Sequence, residues 1–316
     1  MPGLRPLAFF AAALVGASLL PGRTATAADA GFTFREQPGV SLDVLRDGKN
    51  VARYMCGYDT ATPERRDETY KPYLHVFDTD GREPITKGPG GEFPHHRGIF
   101  IGWNKLTVGG KAYDRWHMKD GAQIHRKFLA QKAGADQASF TSLVQWTGQG
   151  DEAILEEERT HTFSRGTAPT YLVVDVSSRL KAVAGEAKLD GDREHAGLHF
   201  RASAEVDRSK TTFLLPTEKA DPVKDRDYPW FAESFTLRGK RFSVAYLNHP
   251  NNPTGTEVSA YRNYGRFGAF FRDTIPAGGE RTIRVRFLVM DGELPGRETV
   301  QSAYQAFAGA EASPAK

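Results

Sequence analysis

Short alternating apolar runs, cut every few residues by glycine or proline, constrain this chain more than any other feature. Thirty-two glycines and 18 prolines are spread along 316 residues, so long helices are excluded over most of the length. Ala153–Phe163 is the cleanest run. Leu155, Glu157, Arg159, His161 and Phe163 fall on one face of an extended strand, and Ile154, Glu156, Glu158, Thr160 and Thr162 on the other. Similar strands are expected at Ser41–Arg46, Val51–Cys56, Tyr73–Phe77, Ile99–Trp103, Ala138–Trp146, Thr170–Leu180, Gly197–Ala202, Phe231–Leu237, Phe242–Leu247, Gly268–Arg272 and Thr282–Val289. One helix is expected at Arg297–Ala308, where Val300, Tyr304 and Phe307 recur at helical spacing. This pattern predicts an all-β fold, a large antiparallel, supersandwich-like β-sandwich with one C-terminal helix. Arg65–Glu68 and Lys219–Asp227 are charge-rich and read as solvated loops.

The N-terminus reads as a secretion signal over residues 1–27. Arg5 precedes an apolar run at residues 7–20, and Ala25-Thr26-Ala27 forms an A-x-A cleavage site. One β-sandwich domain over residues 28–308 and a frayed tail over residues 309–316 are expected. The chain is then periplasmic or secreted, with no later membrane span. Removing Arg5 and Arg23 from the 42 basic residues leaves them nearly balanced by 39 acidic ones. No basic block remains, so nucleic acid is not an expected partner. Cys56 is the only cysteine, and stability must come from the core rather than from disulfides.

The candidate chemistry lies in clusters. His95-His96-Arg97 stands at the mouth of the strand Ile99–Trp103, after the irregular Gly88-Pro89-Gly90-Gly91. Imidazole changes charge near neutral pH, and guanidinium is a fixed fork for carboxylates. Further clusters hold Tyr73 and His75; Trp116 and His117; His195, His199 and Arg201; His249; and Tyr264 and Arg266. Seven of the nine histidines lie in them, His125 and His161 being the exceptions. Catalysis is expected of His95, His96 and His199. Substrate binding is expected of Tyr73, His75, Arg97, Trp103, Trp116, His117, Arg201, His249, Tyr264 and Arg266. Aromatic faces beside polar forks suit a sugar, so a small-molecule or oligosaccharide ligand is the expected partner. Glu157, Glu158 and Asp175 lie on strands, but nothing marks two of them as a glycosidase pair. No metal-binding spacing, nucleotide loop or nucleophile elbow occurs, and neither metal nor cofactor is expected. His75, His95 and His249 remain a non-sequential combination that tertiary structure could join.

Tyr73–Gly81, Pro84-Ile85-Thr86, Phe93–Asn104, Trp116-His117 and His195–Arg201 together resemble the PmoA-like bacterial family of unknown function. Val76 and Phe93 depart from the residues common at their places in that pattern. The resemblance covers about residues 35–305. It implies a β-sandwich of the galactose-mutarotase-like supersandwich type. The family's old label, methane oxygenase, does not suit a chain with no span after its signal. The leading expectation is an exported carbohydrate-active enzyme doing proton-transfer chemistry on a sugar: a lyase, an epimerase or an elimination-type glycosidase. A non-catalytic sugar-binding protein and a structural envelope-associated domain are the alternatives.

Overall fold

The structure, a computed structural model, describes Gly3 and residues 30–309. The expected signal segment and the tail beyond Gly309 lie outside the described residues. Among these, the chain runs β1 (Phe32–Gln37), β2 (Ser41–Arg46), β3 (Lys49–Met55), α1 (Pro63–Thr69), β4 (Tyr73–Val76), β5 (Ile99–Trp103), β6 (Lys105–Val108), β7 (Lys111–Tyr113), β8 (Gln123–Ala133), β9 (Gln137–Thr147) and β10 (Ala153–Ser164). It continues through β11 (Thr170–Ala182), β12 (Ala187–Asp190), β13 (Ala196–Arg201), β14 (Val206–Leu214), β15 (Trp230–Leu237), β16 (Lys240–Asn248), β17 (Glu257–Arg262), β18 (Arg266–Phe270), β19 (Asp273–Ile275), β20 (Glu280–Asp291) and α2 (Arg297–Gly309).

Two eight-stranded antiparallel sheets stack face to face. The first has the order β1-β2-β3-β4-β5-β13-β18-β17 and the second β14-β15-β16-β20-β11-β10-β9-β8. A small sheet, β19-β12-β6-β7, extends one side. The expected all-β sandwich with a C-terminal helix is what forms. α1 is the exception to the loop expected at Arg65–Glu68. Thr62 caps it by accepting the Arg65 backbone N–H (3.2 Å), and Pro63 occupies its first turn.

Strand alternation decides which side chains meet between the sheets. Ile99, Ile101 and Trp103 of β5 and Leu198 and Phe200 of β13 point inward, against Val144, Trp146, Phe163, Val174 and Phe287 of the second sheet, in one continuous apolar core. The Trp103 and Trp146 rings are 6.0 Å apart across that core. On β10, Leu155, Glu157, Arg159, His161 and Phe163, the face read from the sequence, are buried, and so is Ile154 of the other parity. Its two charges are paired: the Arg159 guanidinium donates to both Glu157 oxygens (2.9 and 2.7 Å), and Trp146 Nε1 and Ser178 Oγ donate to the same carboxylate. Arg159 also donates to the Pro72 carbonyl (3.1 Å), tying the start of β4 to the core. Glu157 is thus a structural carboxylate. Glu158 pairs with Arg179 and Asp175 with Arg286, which accounts for the other two carboxylates considered.

Candidate functional site

The residues of opposite parity in the first sheet project outward. They are Tyr73 and His75 on β4, Phe100 on β5, His199 and Arg201 on β13, and Arg266 on β18. Register places them side by side, with His199 opposite both Phe100 and Gly268, and Arg201 opposite Arg266. Two glycines make room for what lies above. A Cβ on Gly268 would stand 2.4 Å from His199 Cγ, and one on Gly102 would stand 2.1 Å from the Arg115 carbonyl oxygen. Glycine at these positions lets the imidazole lie on β18 and the 114–118 segment lie on β5.

Phe100 and Trp116, with ring centroids 4.7 Å apart, form the floor. Lys71 is buried beside them. Its ammonium sits 4.5 Å from the Phe100 ring centroid and donates to the Trp116 carbonyl (2.7 Å). Burial, reinforced by Arg97, holds its pKa well below the usual lysine range. His199 lies under Trp116 (4.8 Å between rings). Its Nε2–H donates to the Ala196 carbonyl (2.8 Å), so Nδ1 is left to accept from Arg266 Nη1 (3.3 Å). Fully buried with both nitrogens engaged, His199 supports Arg266 and has no free nitrogen to offer a ligand.

Three histidines form the rim. The His95 ring is 4.4 Å from His117 and 6.5 Å from His195, and His117 is 5.4 Å from His195. His117 and His195 close two copies of the same local motif, Asp114-Arg115-Trp116-His117 and Asp192-Arg193-Glu194-His195. In each, the aspartate accepts the backbone N–H groups of the next two residues but one, and the histidine Nδ1–H as well. The Nδ1 distances are 2.8 Å for Asp114–His117 and 2.9 Å for Asp192–His195. A carboxylate can only accept, so each Nδ1 carries a proton, and in the neutral ring the lone pair is on Nε2. Burial raises both aspartates, but these hydrogen bonds outweigh it and hold them below the usual carboxylate value. Arg115 locks the first motif by donating to the Thr147 and Lys119 carbonyls (2.7 Å each), and Asn104 binds Asp192 of the second (3.2 Å). His117 and His195 are part-exposed, at 28% and 38%.

His95 and His96 sit deeper. Burial, with nearby Lys71, pushes His95 down to about 2, and burial with His95 keeps His96 far below the usual histidine range. Both are neutral at pH 7. His95 Nε2 and His96 Nδ1 are buried with no hydrogen-bond partner. His96 stacks on Tyr264 (6.3 Å, 18° between planes), and Phe93 packs on both at 5.2 and 5.0 Å.

Arg97, Arg201 and Arg266 complete the face. Arg97 lies over the rings of Tyr70 (5.2 Å) and Tyr73 (6.0 Å) and donates to the Asp67 carbonyl (2.9 Å). Arg201 donates to the Ala202 and Tyr264 carbonyls, and Arg266 to the Tyr264 hydroxyl (3.1 Å). Each keeps one buried N–H without a partner: Arg97 Nε, Arg201 Nε and Arg266 Nη2. Among the described residues none of the three forms an ion pair with a carboxylate. The nearby buried Glu233 has neither oxygen hydrogen-bonded, and burial raises it to about 8.

Next to this cluster, over β3 and β4, is a cavity of about 590 Å³ lined by Arg53, Tyr58, Lys71, Tyr73, His75 and Arg82 among others. His75 Nδ1 bonds Thr86 Oγ1 (2.9 Å), and its ring meets Tyr73 edge-on at 5.0 Å.

The structure therefore gathers His95, His96, Arg97, Trp116, His117, His199, Arg201, Tyr264 and Arg266 in one place, with Tyr73 and His75 beside them. Two expected site residues lie elsewhere. Trp103 is fully buried between the sheets, where its Nε1 donates to the Phe271 carbonyl (3.3 Å), so it has no face for a ligand. His249 belongs to the second sheet's side, packed against Phe307 of α2 at 5.2 Å. His75, His95 and His249 accordingly do not converge, and among the described residues no group of three or more His, Cys, Asp or Glu side chains is placed to hold a metal ion. The site also contains Lys71, Phe93, Asp114 and Asp192, of which no part in it was expected, and His195, which was expected in a cluster but without a role. The repeated D-R-x-H spacing was the sequence signal for three of them.

The chain belongs to the DUF6807 family, a family of unknown function whose pattern matches residues 41–305. No curated protein matches it. Solved structures similar to it include a putative aldose 1-epimerase from Klebsiella pneumoniae (10% identity, 90% of this chain and 84% of that one, TM-score 0.41). Others are an alpha-galactosidase from Lactobacillus brevis (8%, 89% and 40%, 0.40) and a putative kojibiose phosphorylase from human microbiome (8%, 82% and 32%, 0.35). The chain spans well under half the length of the last two. All three names are those of carbohydrate-acting proteins. Among the described residues no helix is long and apolar enough to cross a membrane.

Proposed function

We propose that this protein is a carbohydrate-active enzyme that moves a proton on a sugar, as a lyase, an epimerase or an elimination-type glycosidase. The observation that carries this reading is the pair of aspartate-held histidines. Asp114 and Asp192 fix the Nδ1–H tautomers of His117 and His195, so two part-exposed Nε2 lone pairs stand on one rim. One takes a proton from a carbon next to a carbonyl or carboxylate of the sugar, and the other, once protonated, returns one. The charge left on the sugar oxygen would be met by the buried guanidinium groups of Arg97, Arg201 and Arg266, which among the described residues have no carboxylate partners of their own, and by the Lys71 amine as a hydrogen-bond donor. Neutral His95 and His96 supply hydrogen bonds without adding charge. Phe93 and Tyr264, both part-exposed, offer ring faces to the apolar side of a pyranose.

This reading moves the proton-transfer role from His95, His96 and His199 to His117 and His195, because His199 has no free nitrogen and burial disfavours the protonated forms of His95 and His96. It reassigns His95 and His96, expected to be catalytic, as ligand contacts and assigns Trp116 to the floor beneath them. It also has the chain exported, with residues 1–27 removed, and extends the PmoA-like, mutarotase-type resemblance to a shared sugar chemistry.

The test is a screen of the purified protein against uronic-acid and keto-sugar glycosides, with and without a chelator. Turnover that is indifferent to the chelator and lost in His117→Gln and His195→Gln supports the reading. Turnover surviving both substitutions refutes it. Sugar binding with no turnover on any substrate favours the non-catalytic alternative.

A further inference from the structure

The cavity over β3 and β4 is not needed for the proton transfer proposed above. Two polar atoms open into it unused. Among the described residues the Tyr73 hydroxyl and His75 Nε2 have no hydrogen-bond partner, although Tyr73 is only 3% exposed and both residues line the cavity. They meet at one spot. A Cβ placed on Gly88 would lie 3.7 Å from His75 Nε2 and 3.8 Å from the Tyr73 hydroxyl oxygen. His75 is oriented for this by its Nδ1 contact with Thr86.

The charges around the cavity are unequal. Arg53, Arg65, Arg82 and Lys71 line it, against Asp59 and Glu68. Both acids are already committed to Arg65, at 3.0 and 2.6 Å. Arg53 shares the single carboxylate of Asp43 with Arg35. Arg82 has no side-chain partner among the described residues, and Lys71 bonds only a carbonyl. Asn50 and Thr69 add neutral polar groups, and Met55, Tyr58, Phe77, Pro84 and Pro89 supply apolar and aromatic surface. The volume is in the range of small-ligand sites.

From this juxtaposition we infer that the cavity is a binding site for a carboxylated sugar, a uronate unit, distinct from the histidine rim. Arg82 and Arg53 face the carboxylate. Tyr73 and His75 hydrogen-bond ring hydroxyls, and Tyr58 and Met55 cover the ring. The inference stands independently of the proton-transfer reading, since it requires only binding.

The test is calorimetric or ligand-observed NMR titration of the mature chain with D-glucuronate and, separately, with D-glucose. Glucuronate should bind, with glucose weaker by roughly tenfold or more, as expected for loss of a charge-assisted hydrogen bond. Arg82→Gln, an exposed change that spares the core, should weaken glucuronate by about the same factor and leave glucose unmoved. Gly88→Leu adds a side chain where Tyr73 and His75 meet and removes no ligand group. It should abolish binding of both sugars while the unfolding midpoint holds. Equal affinity for the two sugars, or glucuronate binding unchanged in Gly88→Leu, would overturn the inference. So would the absence of any binding by the folded wild-type chain.

Discussion

The outer faces of the two large sheets are both covered, but by opposite kinds of residue. Over the second sheet, α2 packs Val300 and Phe307 onto Val173, Trp230, Ala232, Ala245, Leu247, Leu288 and Met290. That face is sealed by apolar area and stabilises the fold. Over the first sheet, loops cover Lys71, His96, Arg97, His199, Arg201 and Arg266, each at most 3% exposed. Burying imidazoles and unpaired cations costs stability. A covered face of that composition persists because of what it does, so substitutions on the two faces should have separable consequences.

The largest effect should come from the rim. Asp114→Asn or Asp192→Asn removes the acceptor that fixes the histidine tautomer, and each should lower turnover by about 10²- to 10⁴-fold, the range of a general acid or base. The unfolding midpoint should move little, because asparagine keeps the Oδ1 that accepts the backbone N–H groups. Steady-state rates beside urea melts check this.

On the other face, Trp230→Ala should cost about 3–5 kcal/mol of stability, the range for a buried aromatic, and leave the kcat of the folded fraction unchanged. Trp230 is 1% exposed and its Nε1 donates to Gln301 of α2 (2.7 Å). A kcat loss matching that of the rim variants would erase the distinction between the faces.

The pH dependence sharpens it further. Burial holds His75 at about 4 and His161 at about 3, below the ordinary 6.5. Between those values and pH 6.5 the unfolded chain binds protons that the folded chain does not. The stability from keeping these rings neutral is therefore full above about pH 6.5 and falls as pH drops, by up to about 1.4 kcal/mol per pH unit for each ring. Urea melts from pH 7 to 5 should show the decline, and His75→Gln should flatten part of it.

The smallest expected effect has the opposite sign. Lys71→Met replaces a buried amine that has no ion-pair partner among the described residues by a side chain of similar length, and should raise stability by about 1 kcal/mol while reducing activity. A destabilised Lys71→Met chain would mean that the amine serves the fold rather than the site.

Much of this division was visible in the sequence through strand parity. His199 and Arg201 share a parity, and the structure puts both outside the first sheet. Trp103 shares its parity with Ile99 and Ile101, so alternation already assigned it to the core. Its residue type made it resemble a sugar platform, and here periodicity outweighs type. α1 was legible in Thr62-Pro63 but hidden by the charges that follow. His249 could not be placed, because only the tertiary docking of α2 decides which face it serves. Lys71 was equally out of reach, since a lysine is normally exposed and its burial depends on Trp116 and Phe100 closing over it. Asp114 and Asp192 are different: two D-R-x-H motifs were there to be read, and in each the aspartate's hydrogen bonds to the next residues are local, with Arg115 and Asn104 tying the turns to the rest of the chain.

The central claim is that His117 and His195 move a proton on a sugar carbon, and it can be tested before any product is known. Keto-sugars and uronate glycosides are incubated with the purified protein in D₂O, and ¹H NMR follows the loss of carbon-bound hydrogen next to the carbonyl or carboxylate. The account predicts enzyme-dependent exchange at one carbon of a reactive sugar, abolished in the His117→Gln, His195→Gln double variant. Exchange at an undiminished rate in that folded double variant, or its absence from every sugar the wild-type chain binds, would contradict it.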